Sequence, residues 1–174
     1  MAALPLLQKA KVPLIAPLTG SAALRDPKLA QTVFNLRASY ADETALMVKQ
    51  LVSLGLKKIA VFYQNDAYGQ SGLDGVTQAL QSQGLKPVGA ATVERNSEDV
   101  SKAIKTLVPL GADVIVQVGT YAASAAFVRA ARQAGYRVAR KLRINAAEQI
   151  SATSSHCRSD GRLLMKYTSE LITC

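Results

Sequence analysis

The sequence predicts an α/β protein, a doubly wound parallel sheet with helices on both faces. Three observations carry this. Between Lys58 and Gly135, short apolar runs rich in β-branched residues alternate with longer runs at helical spacing. The strand candidates at 59–63 and 114–118 are apolar almost throughout, as strands covered on both faces must be. Gly55, Gly84 and Gly135 each stand where a helical run stops, the usual place for a left-handed closing residue.

Taken in chain order, residues 4–10 read as a helix end. Residues 12–16 form a short apolar strand in which Pro13 suits the start better than the centre. The loop "APLTGSAALRDP" follows, and 33–36 is a second short strand. Ser39 then opens a helix, with Asp42 three residues on completing a capping box. Tyr40, Thr44, Met47, Leu51 and Leu54 recur at helical spacing and predict its buried stripe. The strand at 59–63 is followed by a helix over 72–83, with Leu73, Val76 and Leu80 on its inner face. A strand at 88–93 leads to a helix over 97–110, capped by Asn96 or Ser97, with Glu98 and Asp99 favourable at its positive end. Its inner face is Val100, Ile104, Leu107 and Val108. The strand at 114–118 precedes a helix over 122–134 packed through Phe127, Val128 and Ala131. All three strands from 59 onward are expected to pair in parallel.

Composition narrows the function. Hydrophobic residues make up 49% and charged residues 19% of 174, enough to bury a core. No apolar run reaches the length of a bilayer span. At the start, Lys9 and Lys11 follow the apolar residues, the reverse of a secretory signal, so no signal peptide is expected in this chain. The net charge of +9 is spread out: residues 1–135 carry 14 basic and 9 acidic residues, and the remainder 7 and 3. Aromatic and basic residues do not interleave, which argues against nucleic acid as a partner. Cys157 and Cys174 make neither a disulfide framework nor a zinc spacing. His156, the only histidine, adjoins Cys157 in sequence, which is not how a catalytic pair is built. After Tyr136 the text turns basic and serine-rich and loses the strand–helix alternation.

The pieces "AALPLLQKAKVPLIAPLTGSAALRDP", "VFNLRASYADET", "LGLKKIAVFYQNDAYGQSGLDGV", "NSEDVSKAIKTL" and "GADVIVQVGTYAASAAFVRAARQAG" stand in order over residues 2–135. Together they resemble the periplasmic substrate-binding proteins of ABC transporters, of the leucine/isoleucine/valine type. The resemblance implies a periplasmic-binding-protein-like (type I) fold, with two doubly wound lobes joined by a hinge and closing on a ligand. It implies that this chain is partial: 1–37 a remnant of the first lobe with the hinge, 38–136 part of the second ligand-binding lobe, 137–174 a divergent tail. It also implies a non-enzymatic, periplasmic solute-binding protein. Its partners would be an amino acid or amide ligand and a membrane permease, and no cofactor or metal is called for.

Ligands of doubly wound sheets bind outside the carboxyl ends of the strands. An amino acid asks for hydroxyls and N–H groups at its carboxylate and an apolar or aromatic wall at its side chain. By resemblance, Thr19, Gly20 and Ser21 supply the first kind of contact. Tyr68 and Tyr121, each after a strand, supply the second, and their rings are expected within reach of one small ligand. Asp66, on the same rim with Gln64 and Asn65, reads more readily as a helix cap than as an ammonium partner. The acid that holds the ammonium in the family would fall near Glu148, where the surrounding residues do not match, and no residue is assigned that role.

Other functions fit less well. A ligand-sensing regulatory or receptor domain of the same fold is the alternative. A nucleotide-dependent enzyme would need GxGxxG or a P-loop, and "YGQSGLDG" has neither spacing. A receiver-like domain would need an acidic cluster at strand ends, where Asp66 stands almost alone.

Overall fold

A computed structural model describes residues 3–136 and two short strands beyond them, β6 (Cys157–Ser159) and β7 (Arg162–Leu164), which pair antiparallel. Apart from those two strands, residues 137–174, with Glu148, His156 and Cys174 among them, lie outside the described residues.

Helix α1 spans Leu4–Ala10. Two short parallel strands follow, β1 (Leu14–Ile15) and β2 (Val33–Phe34). Both are shorter than the sequence predicts. Pro13 brings no N–H to a ladder, and Ala16 turns out of the strand at φ +53. Between them, 3-10 turns at Ala22–Leu24 and Pro27–Leu29 are capped by the side chains of Ser21 and Asp26. Leu24, Leu29 and Val33 form a small core of their own with Leu4 and Leu14.

Helix α2 (Tyr40–Ser53) starts on the predicted capping box. Ser39 Oγ accepts from the Asp42 N–H at 3.0 Å, and the Ser39 N–H donates to Asp42 Oδ2 at 3.1 Å. Thr44, Met47 and Leu51 are buried as expected, joined by Val48 and Glu43, whereas Leu54 is exposed beyond the helix end. Gly55, at φ +79, takes the chain out in the left-handed region.

The larger sheet has the order β4-β3-β5, with β3 (Ile59–Gln64) paired in parallel to β4 (Gly89–Val93) and β5 (Val114–Val118). Alternation along β3 divides the core. Ile59 and Val61 pack with α2 and with α3 (Ala67–Gln81) through Val48, Leu51, Val76 and Leu80. Ala60 and Phe62 face α4 (Ser101–Leu107) and α5 (Tyr121–Gln133) through Ala103, Leu107 and Phe127. The rings of Phe62 and Phe127 stack with centroids 4.4 Å apart.

Two helix starts differ from the sequence reading. Helix α3 begins five residues earlier than predicted, because Asp66 caps it by accepting from the Gly69 N–H at 2.9 Å. Helix α4 begins four residues later. Asn96 is left-handed at φ +60, Ser97 Oγ accepts from Asp99, and Asp99 accepts from Ser101. Those local side-chain turns occupy the amides that a helix from 97 would have used. The last part of the predicted 97–110 run is a 3-10 turn at Val108–Leu110.

Candidate functional site

The loop after β1 is anchored from within. Thr19 Oγ1 accepts from the Ser21 N–H at 3.2 Å, and Ser21 Oγ accepts from Ala23 at 3.3 Å. Gly20 is buried, and a Cβ there would lie 2.7 Å from the Tyr40 ring and 2.9 Å from the Tyr40 nitrogen. Only glycine lets this backbone approach so closely. The Tyr40 N–H donates to the Gly20 carbonyl at 2.9 Å, and the Tyr40 and Thr19 hydroxyls are 3.1 Å apart.

Tyr68 lies in the first turn of α3, and its ring meets Tyr40 edge to face, with centroids 5.3 Å apart and planes at 67°. This is the favoured arrangement of two aromatic quadrupoles. The Tyr68 hydroxyl is buried and has no partner. Burial pushes its pKa above the ordinary tyrosine range; Tyr40 adds to the shift and Arg37 opposes it.

Arg37 closes the other side. Its Nε and Nη2 donate to the two Glu43 oxygens at 2.7 and 3.0 Å, and its Nη1 donates to the Leu18 carbonyl at 2.9 Å. The hydrogen bonds that Arg37 donates to Glu43 raise its pKa against the opposing effect of burial. The guanidinium carbon is 5.5 Å from the centroid of the Tyr40 ring, a cation–π distance. Arg25 ties the same segment together, donating to the carbonyls of Ser21 and Arg37 at 3.1 and 2.5 Å.

The loop Thr19–Gly20–Ser21 and Tyr68, far apart in sequence, therefore meet through Tyr40. Tyr121 stands differently. It opens α5, which packs on the opposite face of the sheet from α3, and the residue is 80% exposed. The ring partner of Tyr68 is Tyr40. On the same rim, burial would raise the Asp66 carboxyl, but bonds from the Gly69 N–H and the Gln64 amide outweigh it and hold the group below its ordinary value. Asp66 is engaged as a cap, as the sequence reading has it.

Tyr40, Arg37 and Glu43 are absent from the sequence-derived site. Tyr40 reads there as one residue of a helix stripe. A signal for the ion pair does exist: Glu43 falls on the buried face beside Thr44 and Met47, and a buried acid demands a partner. The assembled corner brings together hydroxyls, two aromatic rings and a guanidinium paired with Glu43. Among the described residues no group of His, Cys, Asp and Glu is placed to hold a metal ion, and no helix is long and apolar enough to cross a membrane.

A family model described as periplasmic binding protein matches residues 1–154, extending past Tyr136. The chain is similar to the Leu/Ile/Val-binding protein homolog 7 of Brucella abortus (strain 2308), 32% identical over 80 residues, which is 46% of this chain and 20% of that protein. It is also similar to the structure of a possible leucine/isoleucine/valine-binding protein from Rhodopirellula baltica SH 1. There the identity is 34% and the TM-score 0.71, over 84% of this chain and 40% of that one. A substrate-binding periplasmic protein from Ralstonia solanacearum matches with 33% identity and a TM-score of 0.68, over 79% of this chain and 38% of that one. The chain thus spans about 40% of the length of these solved relatives.

Proposed function

The chain belongs to the periplasmic binding protein family, and from that premise we propose that it is part of the solute-binding component of an ABC-type amino-acid uptake system. The ligand is a branched-chain amino acid or an amide, held without chemical change and passed to a membrane permease. The two parallel sheets are read as parts of two lobes, with β1 and β2 in the first and β3 to β5 in the second. The observation that carries the reading is the meeting of the Thr19–Gly20–Ser21 loop with Tyr68, whose buried hydroxyl has no partner. Such a hydroxyl, left unsatisfied, costs about 1–3 kcal/mol that a ligand or water recovers. The names of the relatives supply the ligand class.

The test is a titration of the chain with leucine, isoleucine and valine, followed by amide NMR. Saturable shifts are expected at Gly20, Ser21 and Tyr68, and weaker binding is expected in Tyr68→Ala. With only parts of both lobes present, the affinity belongs in the millimolar range, roughly 4 kcal/mol. Shifts scattered over the surface, or none with any of these ligands or their amides, would overturn the reading.

A further inference from the structure

Tyr40 has a job that core packing does not explain. Its ring belongs to none of the buried apolar clusters among the described residues. Its contacts run instead to the two halves of the candidate site. On one side are the Thr19 hydroxyl at 3.1 Å and the Gly20 carbonyl, with the glycine backbone pressed against the ring. On the other is the Tyr68 ring at 5.3 Å. The Tyr40 backbone is fixed by its N–H bond to the Gly20 carbonyl and by the helix start. It sits directly after the Ser39 cap, and its carbonyl accepts from Thr44 Oγ1 at 2.8 Å. Gly20, Tyr68 and Arg37 bound the ring, and the Thr19 bond fixes its hydroxyl end.

We propose that Tyr40 is a positioning residue that couples the Thr19–Ser21 loop to Tyr68, so that engagement of the loop sets the orientation of the tyrosine wall. This rests on the reading of the loop and Tyr68 as ligand contacts. The hydrogen-bond inventory shows how the coupling works. Thr19 Oγ1 has one proton and two lone pairs. It already accepts from the Ser21 N–H. When an acceptor on the ligand takes its proton, its remaining lone pair can only accept, so the Tyr40 hydroxyl must donate. The Tyr40 ring is then held in one orientation. Tyr68 leans on that ring with its edge-to-face geometry, which is directional. The contact carries the change to the one hydroxyl in the corner that lacks a partner. Arg37, locked to Glu43 and the Leu18 carbonyl, restrains the ring from a further side.

The experiment uses the full chain with tyrosine rings labelled for NMR, in the wild type and in Thr19→Val, Thr19→Ser, Tyr40→Phe and the Thr19→Val/Tyr40→Phe double variant. Without ligand, Thr19→Val is expected to shift the Tyr68 ring resonances by more than a linewidth. Thr19→Ser, which keeps the hydroxyl, should leave them in place. In the Tyr40→Phe background, Thr19→Val should no longer reach Tyr68. A role in folding alone would lower the melting temperature without this conditional pattern. Tyr68 resonances unmoved by Thr19→Val, or moved equally in both backgrounds, would sink the coupling. A second arm adds leucine: Tyr40→Phe is expected to weaken binding about fivefold, the loss of one neutral hydrogen bond. Leucine shifting neither the loop nor Tyr68 removes the binding reading, while the coupling is still decided by the ligand-free arm. Binding that Thr19→Val weakens and Tyr40→Phe leaves unchanged keeps the site and overturns the coupling.

Discussion

Replacing Gly69 with alanine should destabilise the protein by about 3 kcal/mol, although alanine is the better helix former. Gly69, Gly72 and Gly75 lie on one face of α3 and are all buried. A Cβ on Gly69 would stand 1.9 Å from the Gln64 carbonyl oxygen, where ordinary contact begins at 3.4 Å. The obstacle is backbone, paired with Val93 of β4 and with its carbonyl accepting from the Asp66 N–H at 2.8 Å, so it cannot rotate away like a side chain. The start of α3 must retreat instead, stretching the Asp66 cap to Gly69. Overpacking of this kind costs up to about 3 kcal/mol, a lost cap about 1, and alanine returns about 1 in helix propensity. Gly72 should come next, because its Cβ would meet both γ-methyls of the buried Val118 at 2.5 and 2.6 Å. Gly75 should be mildest, since it faces the Thr44 hydroxyl, a side chain that can turn at the loss of its own bonds. Urea unfolding followed by circular dichroism reads the ranking as midpoints at constant slope. For a chain of this size, 3 kcal/mol is a fall of roughly 10 °C in melting temperature. A Gly69→Ala protein as stable as the wild type would show that helix and strand do not approach this closely.

Three further outcomes follow from the structure. Arg37→Met leaves the buried Glu43 carboxylate without its partner and should cost about 3–5 kcal/mol, whereas Arg37→Met/Glu43→Leu should recover much of that; equal losses in urea unfolding would refute the buried pair. Ser39→Ala should cost about 1 kcal/mol and flatten the acid limb of stability. The bonds from the Ser39 hydroxyl and N–H hold the Asp42 pKa below its usual 3.8, so their contribution is present above that pH and is lost as pH falls through the lowered folded value; melting curves between pH 5 and about 2 test it, and an unchanged acid slope in the variant would count against it. Tyr68 has its pKa raised by burial, so its neutral form is favoured on folding, and that stability is full below the usual tyrosine value near 10 and declines as pH rises beyond it. Ultraviolet titration of the wild type against Tyr68→Phe should show the last-ionising tyrosine missing from the variant, and identical late titration would refute the burial.

Where the sequence is explicit, the physics is local. The alternation of β-rich and helical runs, the Ser39–Asp42 box, the Asp66 cap and the glycine stops are all decided within a few residues, and each appears in the structure. Local text misleads where two local preferences compete. Ser97 and Asp99 look like the start of a helix, but they spend their side chains on turns and delay it to Ser101. The strand at 12–16 shrinks to Leu14–Ile15 because Ala16 leaves the β region.

The sequence by itself determined the class of fold and the order of its elements, because periodicity and capping are written in neighbouring residues, and its resemblance to a known family pointed to the family. Only the tertiary structure decided what those elements bring together. The "YGQSGLDG" glycines match no nucleotide-binding spacing and prove to be the face on which α3 approaches β3, β5 and α2. Tyr40 looks like one residue of a helix stripe and proves to touch both Thr19 and Tyr68. Glu43 falls on the buried helix stripe, but its partner is not written there: it proves to be Arg37, which also grips the Leu18 carbonyl. Each of these depends on contacts between residues distant in sequence. Such contacts are set by how the helices settle on the sheet, and no period or motif along the chain encodes them.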